Sequence, residues 1–295
     1  HRMTPWLSRP AAQHAMRLAL ALLASVLAVW VEWQRPVLPT RLDEALRDRL
    51  LHLSADPAPD TRVAVIDIDE TSLRQLGPWP WPRQRMADLL EILLSHYQVR
   101  AIGVDILFPE PADPVGDARL AMLAAHAPVT LAQILDYPER DTPLRQGALA
   151  GGLPADPAQP ALGAQGYLAN HAGLSATARC LGNIGYQPDA DGVLRRLPVL
   201  TRYQGRDYPM FAATLIDCAR APNAASVLPL AAGASWRSPY PRAWPAYTVA
   251  PAAEVLAQRL PTQLLAGRYV LVGSSSLSLG DHVSTPLAPL NAGVL

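Results

Sequence analysis

Three aspartates and a serine-rich turn carry most of the reactive chemistry in this chain. Residues 62–69 (RVAVIDID) read as a buried strand whose end bears carboxylates, in the string Asp67-Ile68-Asp69-Glu70-Thr71. Two carboxylates two residues apart can divide the work of phosphoryl transfer: Asp67 would attack phosphorus while Asp69 handles the proton. A second apolar run, residues 101–108 (AIGVDILF), brings Asp105 near a strand end. A third, residues 268–272, enters Gly273-Ser274-Ser275-Ser276, whose backbone amides could cradle an anion. Arg83 opens the helix that follows the first strand, close enough in sequence to neutralise a carboxylate, and Asp281 in Gly280-Asp281-His282 could close the site. Asp67, Asp69, Arg83, Asp105, Ser274, Ser275 and Asp281 are therefore the candidate ligand-binding set, with Trp79 and Trp81 as candidate pocket-lining residues. Such a set belongs in a crevice beyond the carboxyl ends of parallel strands, at a switch in strand order. The competing reading is structural: the aspartates cap backbone amides, Arg83 bridges them, and the tryptophans clamp a helix onto the sheet.

The strand ending D-x-D-x-T resembles the nucleophile motif of haloacid-dehalogenase-type phosphatases. That family needs a basic residue, usually lysine, against the phosphoryl charge, and a late acidic pair for magnesium. The chain has no lysine, and Asp281 follows a Ser/Leu/Gly run, not an acidic doublet. A periplasmic phosphohydrolase using Asp67 and Asp69 is therefore the alternative and a non-enzymatic fragment the expectation, with no catalytic residue assigned. Neither G-x-G-x-x-G nor G-K-[ST] accompanies the Gly273 turn, and Ser275 lacks the G-x-S-x-G frame of a hydrolase nucleophile. The seven histidines show no metal spacing, so no metal and no cofactor are expected.

Twenty-five basic residues balance 25 acidic ones and are spread along the chain, which excludes the concentrated basic patch of a nucleic-acid surface. Thirty prolines concentrate in loops, as suits a rigid exported domain. Cys218, within FAATLIDCA, reads as a buried free thiol on a helix; in an oxidising compartment it could instead pair with Cys180.

The positioning elements begin with an apolar run over residues 18–31 (LALALLASVLAVWV), extended by Ala15 and Met16 and bordered by Trp30 and Trp33. It reads as an uncleaved transmembrane anchor over 15–33, after a cytoplasmic tail over 1–14. A signal peptide cut after Ala28 is the rival. Arginines flank both ends, so charge leaves the orientation open. His1-Arg2, before a plausible initiator Met3, read as vector-derived. Residues 34–61 form an amphipathic stalk and linker, with Thr40 as N-cap, Leu42, Leu46, Leu50 and Leu53 on one face, and the breaker DPAPD at 56–60.

Residues 62–295 form the remaining domain. Strand patterns at 63–68, 101–108 and 128–135 alternate with helices at 83–97 and 117–126, which predicts a parallel sheet with crossover helices. Residues 136–165 read as a surface excursion and 182–203 as a hairpin turning at Pro188-Asp189-Ala190-Asp191-Gly192. Residues 209–220 and 251–259 read as helices, 236–251 as a Pro/aromatic loop, and 268–272 as the last strand. The fold class is α/β: a mostly parallel or mixed sheet with helices on both faces, preceded by an N-terminal transmembrane helix.

Six ordered blocks resemble the CHASE sensory domain, type two. They are the leading span and leucine helix, VIDIDETSL (65–73), GPWPWPR (77–83), AIGVDILFPEP (101–111), PDADGVLRRLP (188–198), Gly205 to Ala212, and LAGRYVLVGSSSLSLGDHVSTPLAPL (265–290). The resemblance covers nearly everything after Thr40; residues 136–165 and 226–248 depart from it. It implies an extracytoplasmic sensor of a bacterial inner-membrane receptor, facing the periplasm and homodimeric. The signal would be an unknown small molecule or protein, and the chain would continue past Leu295 into further spans and a cytoplasmic cyclase or kinase. A ligand-free dimerising ectodomain is a further alternative.

Overall fold

The computed structural model describes residues 9–34, 37–274 and 282–292. The chain divides into two compact units, residues 1–54 and 55–295. In the first, helix α1 (Arg9–Gln34) carries a 19-residue stretch, Gln13–Val31, with a mean hydropathy of 1.8, long and apolar enough to cross a membrane. Helix α2 spans Val37–Ser54, so Thr40 lies inside it and is not its N-cap. Its four stripe leucines are all exposed. Residues 55–61, expected to be linker, belong to the second unit.

The second unit is built on β1 (Val63–Asp67), β2 (Ala101–Val104), β3 (Val129–Asp136), β8 (Cys180–Asn183), β13 (Thr248–Pro251) and β14 (Tyr269–Gly273). These six strands run parallel in the order β13-β1-β14-β2-β3-β8. The runs AVI of β1, AIGV of β2 and VTLA of β3 are buried on both faces, as a parallel sheet between helices demands, while β14 (YVLV) alternates buried Val270 and Val272 with half-buried Tyr269 and Leu271. The far end of β3 pairs antiparallel with β7 (Gly166–Leu168), which takes β4 (Arg145–Gln146) alongside it, so the sheet is mostly parallel and mixed.

Helices α3 (Glu70–Leu76), α4 (Arg83–Ser95), α5 (Pro114–His126) and α8 (Ala252–Leu256) form a layer on one face, with the single turn α6 (Ala172–Ser175) beside α5. Ile66, Ile102, Val104, Leu131, Val270 and Val272 pack there against Met86, Leu89, Leu90, Leu93 and Val255. Burying six such side chains removes enough apolar surface to contribute on the order of 10 kcal/mol. Helix α7 (Phe211–Cys218) covers β2, β3 and β8 from the opposite face, so helices occupy both faces. It sits close because Gly182 has no side chain: a Cβ there would lie 2.5 Å from Phe211 Cα.

Residues 136–165 do contain strands, but of two residues each, too short to show a period. Here β5 (Leu153–Pro154) and β6 (Leu162–Gly163) flank the hairpin β10 (Leu200–Tyr203) and β11 (Arg206–Pro209) in a four-stranded sheet. That hairpin turns on Gln204-Gly205, both at positive φ. The hairpin expected over 182–203 does not form. Its first arm, β8, is buried in the parallel sheet, while β9 (Arg196–Pro198) pairs with β12 (Ser235–Arg237). The 236–251 region likewise yields β13, the edge strand of the main sheet. The terminal ribbon is β15 (His282–Thr285) with β16 (Ala288–Ala292).

Candidate functional site

Three of the expected residues stand at the carboxyl ends of neighbouring strands. Asp67 ends β1 opposite Gly273 of β14, and the Asp105 amide donates to Val272 O at 2.9 Å. Ser274 Oγ donates to Ile68 O at 2.8 Å, tying the Gly273 turn to the β1 end. Asp67, Asp105 and Ser274 thus stand at the carboxyl ends of the adjacent strands β1, β2 and β14. Side chains alternate along a strand, and Ile66 and Val104 enter the helical layer; Asp67 and Asp105 therefore face the α7 side. Asp67 is buried there. Ser275 and Asp281 lie outside the described residues.

The strand order does not reverse at these strand ends, contrary to the expectation of a switch-point crevice. The crossovers β13–α8–β14, β1–α3–α4–β2 and β2–α5–β3 all lie on one face and all advance the same way along the sheet. Crossovers of a single hand placed on one face step in one direction, and the return from β8 to β13 passes through α7 on the opposite face.

Asp69 and Arg83 do not join the cluster. Asp69 is the N-cap of α3, its carboxylate accepting from Ser72 N at 2.7 Å. Arg83 turns to the loop after β2: its backbone amide donates to Asp113, Nη2 donates to Glu110 O at 3.1 Å, and Nε lies 3.3 Å from Asp117 Oδ1. The guanidinium also stacks on the Phe108 ring at 4.4 Å. The expected bridge from Arg83 to the strand-end aspartates is replaced by this one, because the α4 N-terminus packs on α5 and carries Arg83 with it.

Trp81 is a core residue, 2% exposed, with its indole N–H donating to Gly77 O at 2.9 Å and Arg85 over its ring. Trp79 is partly buried against the same core, its ring centroid 6.0 Å from that of Trp81. The tryptophans hold the α3–α4 corner, with Gly77 at φ 96° ending α3.

Several polar residues that sequence reasoning passed over are brought together across long separations. His171 Nε2 lies 3.6 Å from Asp117 Oδ1, so that oxygen faces both the imidazole and Arg83. Beneath them Asn170 accepts from Phe108 N and donates to Ala132 O. Asn183 donates to Tyr137 Oη at 2.9 Å and Thr201 Oγ1 at 3.0 Å, joining the two sheets by a buried network. Burial pushes the Tyr137 phenol up. No local motif announces contacts that span 54 or 46 residues. The Asp113-Pro114 pair, an N-cap followed by proline at the first helical position, is the one signal that could have placed the α5 start correctly.

The cysteines are paired: Cys180 on β8 and Cys218 on α7 form a disulfide with Cα atoms 6.0 Å apart, which corrects the free-thiol reading. Among the described residues no cluster of three His, Cys, Asp or Glu could hold a metal ion.

A mostly parallel sheet with helices on both faces, in a chain that also carries a membrane-length apolar helix, defines a class of α/β domain able to be membrane-anchored. The chain belongs to the CHASE2 domain family, whose pattern it matches over residues 20–295. CHASE2 domains are extracytoplasmic sensors, so this chain is a sensory domain with an N-terminal helix able to span a membrane. No curated protein and no solved structure matches it.

Proposed function

We propose that this chain is the periplasmic sensor region of a bacterial inner-membrane receptor, working as a homodimer and relaying an external signal, a small molecule or a protein, to a cytoplasmic cyclase or kinase. Family membership across residues 20–295 is the observation that carries this reading. The apolar helix α1 supports the membrane placement, and the Cys180–Cys218 disulfide suits an oxidising compartment. Asp67, Asp105 and Ser274 are where a polar ligand would first be sought, since they stand together at the carboxyl ends of three adjacent parallel strands.

The phosphohydrolase alternative requires Asp69 to be free for proton transfer, and that carboxylate is engaged at the α3 N-terminus. The sensor reading is tested by deleting residues 62–295 from the complete receptor and measuring cyclase or kinase turnover in isolated membranes. A changed basal rate supports it; an unchanged rate, with a magnesium-dependent phosphatase activity of the isolated domain that vanishes in Asp67→Asn, promotes the enzyme.

A further inference from the structure

Residues 236–247 lie between two parts of the domain that are far apart in sequence. The first half runs along the 189–198 arm: Trp236 stands opposite Leu197, Ser238 N donates to Arg195 O at 3.0 Å, and Tyr240 Oη donates to Leu194 O at 2.7 Å. That arm in turn reaches the terminal ribbon, where Leu194 N donates to Ser284 O at 2.8 Å. The second half runs along the segment that enters the domain after α2. Asp56 N donates to Pro241 O at 2.9 Å and Asp60 N to Ala246 O at 2.8 Å. Arg242 Nε donates to Ala58 O at 2.9 Å, and Nη2 pairs with Asp56 at 2.8 Å. Asp60 is 3% exposed, and accepts from the amides of Arg62 and Val63 at the head of β1.

We propose that residues 236–247 are a strut that makes the entering segment 56–60 and the β15–β16 ribbon move as one body, with Tyr240 and Arg242 as its two grips. The stiffness comes from Pro239, Pro241 and Pro245, whose rings fix φ so that the loop cannot absorb a displacement by turning its own backbone. Tyr240 adds to it: the residue sits at φ 39°, a left-handed conformation that a non-glycine residue keeps only when its surroundings impose it. Its hydroxyl, bound to Leu194 O, and the flanking bonds of Ser238 and Pro241 are those surroundings. The significance for signalling rests on the sensor reading: the strut joins the segment that follows α2 to the β15–β16 ribbon.

The test is hydrogen exchange on the full chain in lipid nanodiscs at neutral pH, comparing the parent protein with Arg242→Gln and Tyr240→Phe. Tyr240→Phe deletes one hydroxyl and keeps the ring, so the reading does not depend on how well Arg242→Gln is tolerated. Each variant is expected to raise exchange about tenfold at both the Asp60 and Leu194 amides, while the amides of β1 keep their protection. If each variant loosens only its own grip, or neither loosens anything, the strut does not transmit and the proposal is overturned. The readout needs no output domain, so failure of the sensor reading would leave this result standing.

Discussion

Cys180 and Cys218 join the last parallel strand to the end of the helix that covers the opposite face, 38 residues apart along the chain. The link fixes the C-terminal end of α7 while Phe211 seats its other end on Gly182. Closing a loop of this length limits the unfolded chain and stabilises the fold by about 4 kcal/mol in the chain-entropy account. Cys180→Ser with Cys218→Ser should lower the urea midpoint accordingly; an unchanged midpoint would show the link to be energetically idle.

Arg83, Asp117 and His171 form a cluster whose side chains are about nine-tenths buried. Removing one partner from a buried ion pair leaves an uncompensated charge, so Asp117→Ala should cost about 3 kcal/mol. Asp69→Ala, which loses only a helix cap, should cost about 1 kcal/mol. Chemical denaturation of the two variants checks the order. Were Asp69→Ala the more damaging, the Asp117 cluster would not be the main polar tie at this end of the domain.

Acid and alkali should act through different residues. The Arg202 hydrogen bond holds the Asp207 carboxyl below its usual range. Burial of Asp60 works against its ionisation, but bonds from Arg62 and Val63 outweigh it and hold that carboxyl low too. A depressed carboxyl contributes stability above its unfolded value, about 3.9, and loses it as pH falls through the lower folded value. Thermal midpoints should therefore drop below about pH 4, and Asp207→Asn should flatten that limb. The Tyr240 phenol is pushed up to about 12, chiefly by burial. A raised phenol contributes stability below its unfolded value, about 10, and loses it as pH rises from there. Tyr240→Phe should abolish the part of the alkaline melting shift that lies between about pH 10 and 12. An alkaline limb identical in both proteins would assign it elsewhere.

The parallel core was legible because its strands are continuous apolar runs and α4 shows a clear helical period. The expected parallel set of strands at 63–68, 102–106 and 269–272 corresponds to β1, β2 and β14, with α4 packed on one face. Strand order was not legible, since placing β14 between β1 and β2 depends on pairings across 206 and 168 residues. The short strands β4, β5 and β6 have no period to read, and β13 hides between prolines. Of the site, the grouping of Asp67, Asp105 and Ser274 follows from their places at strand ends. Arg83 was misplaced because proximity in sequence says nothing about which way a helix N-terminus faces once α4 packs on α5.

The central claim, that this domain senses from outside the cytoplasm, is met most directly by labelling. Glu139 is exposed, and the native cysteines are paired and unreactive. Glu139→Cys in the full chain, expressed in bacteria with a permeabilised outer membrane, is treated with a membrane-impermeant maleimide before and after the inner membrane is broken. The account predicts complete labelling before lysis. Labelling that appears only after lysis would contradict it.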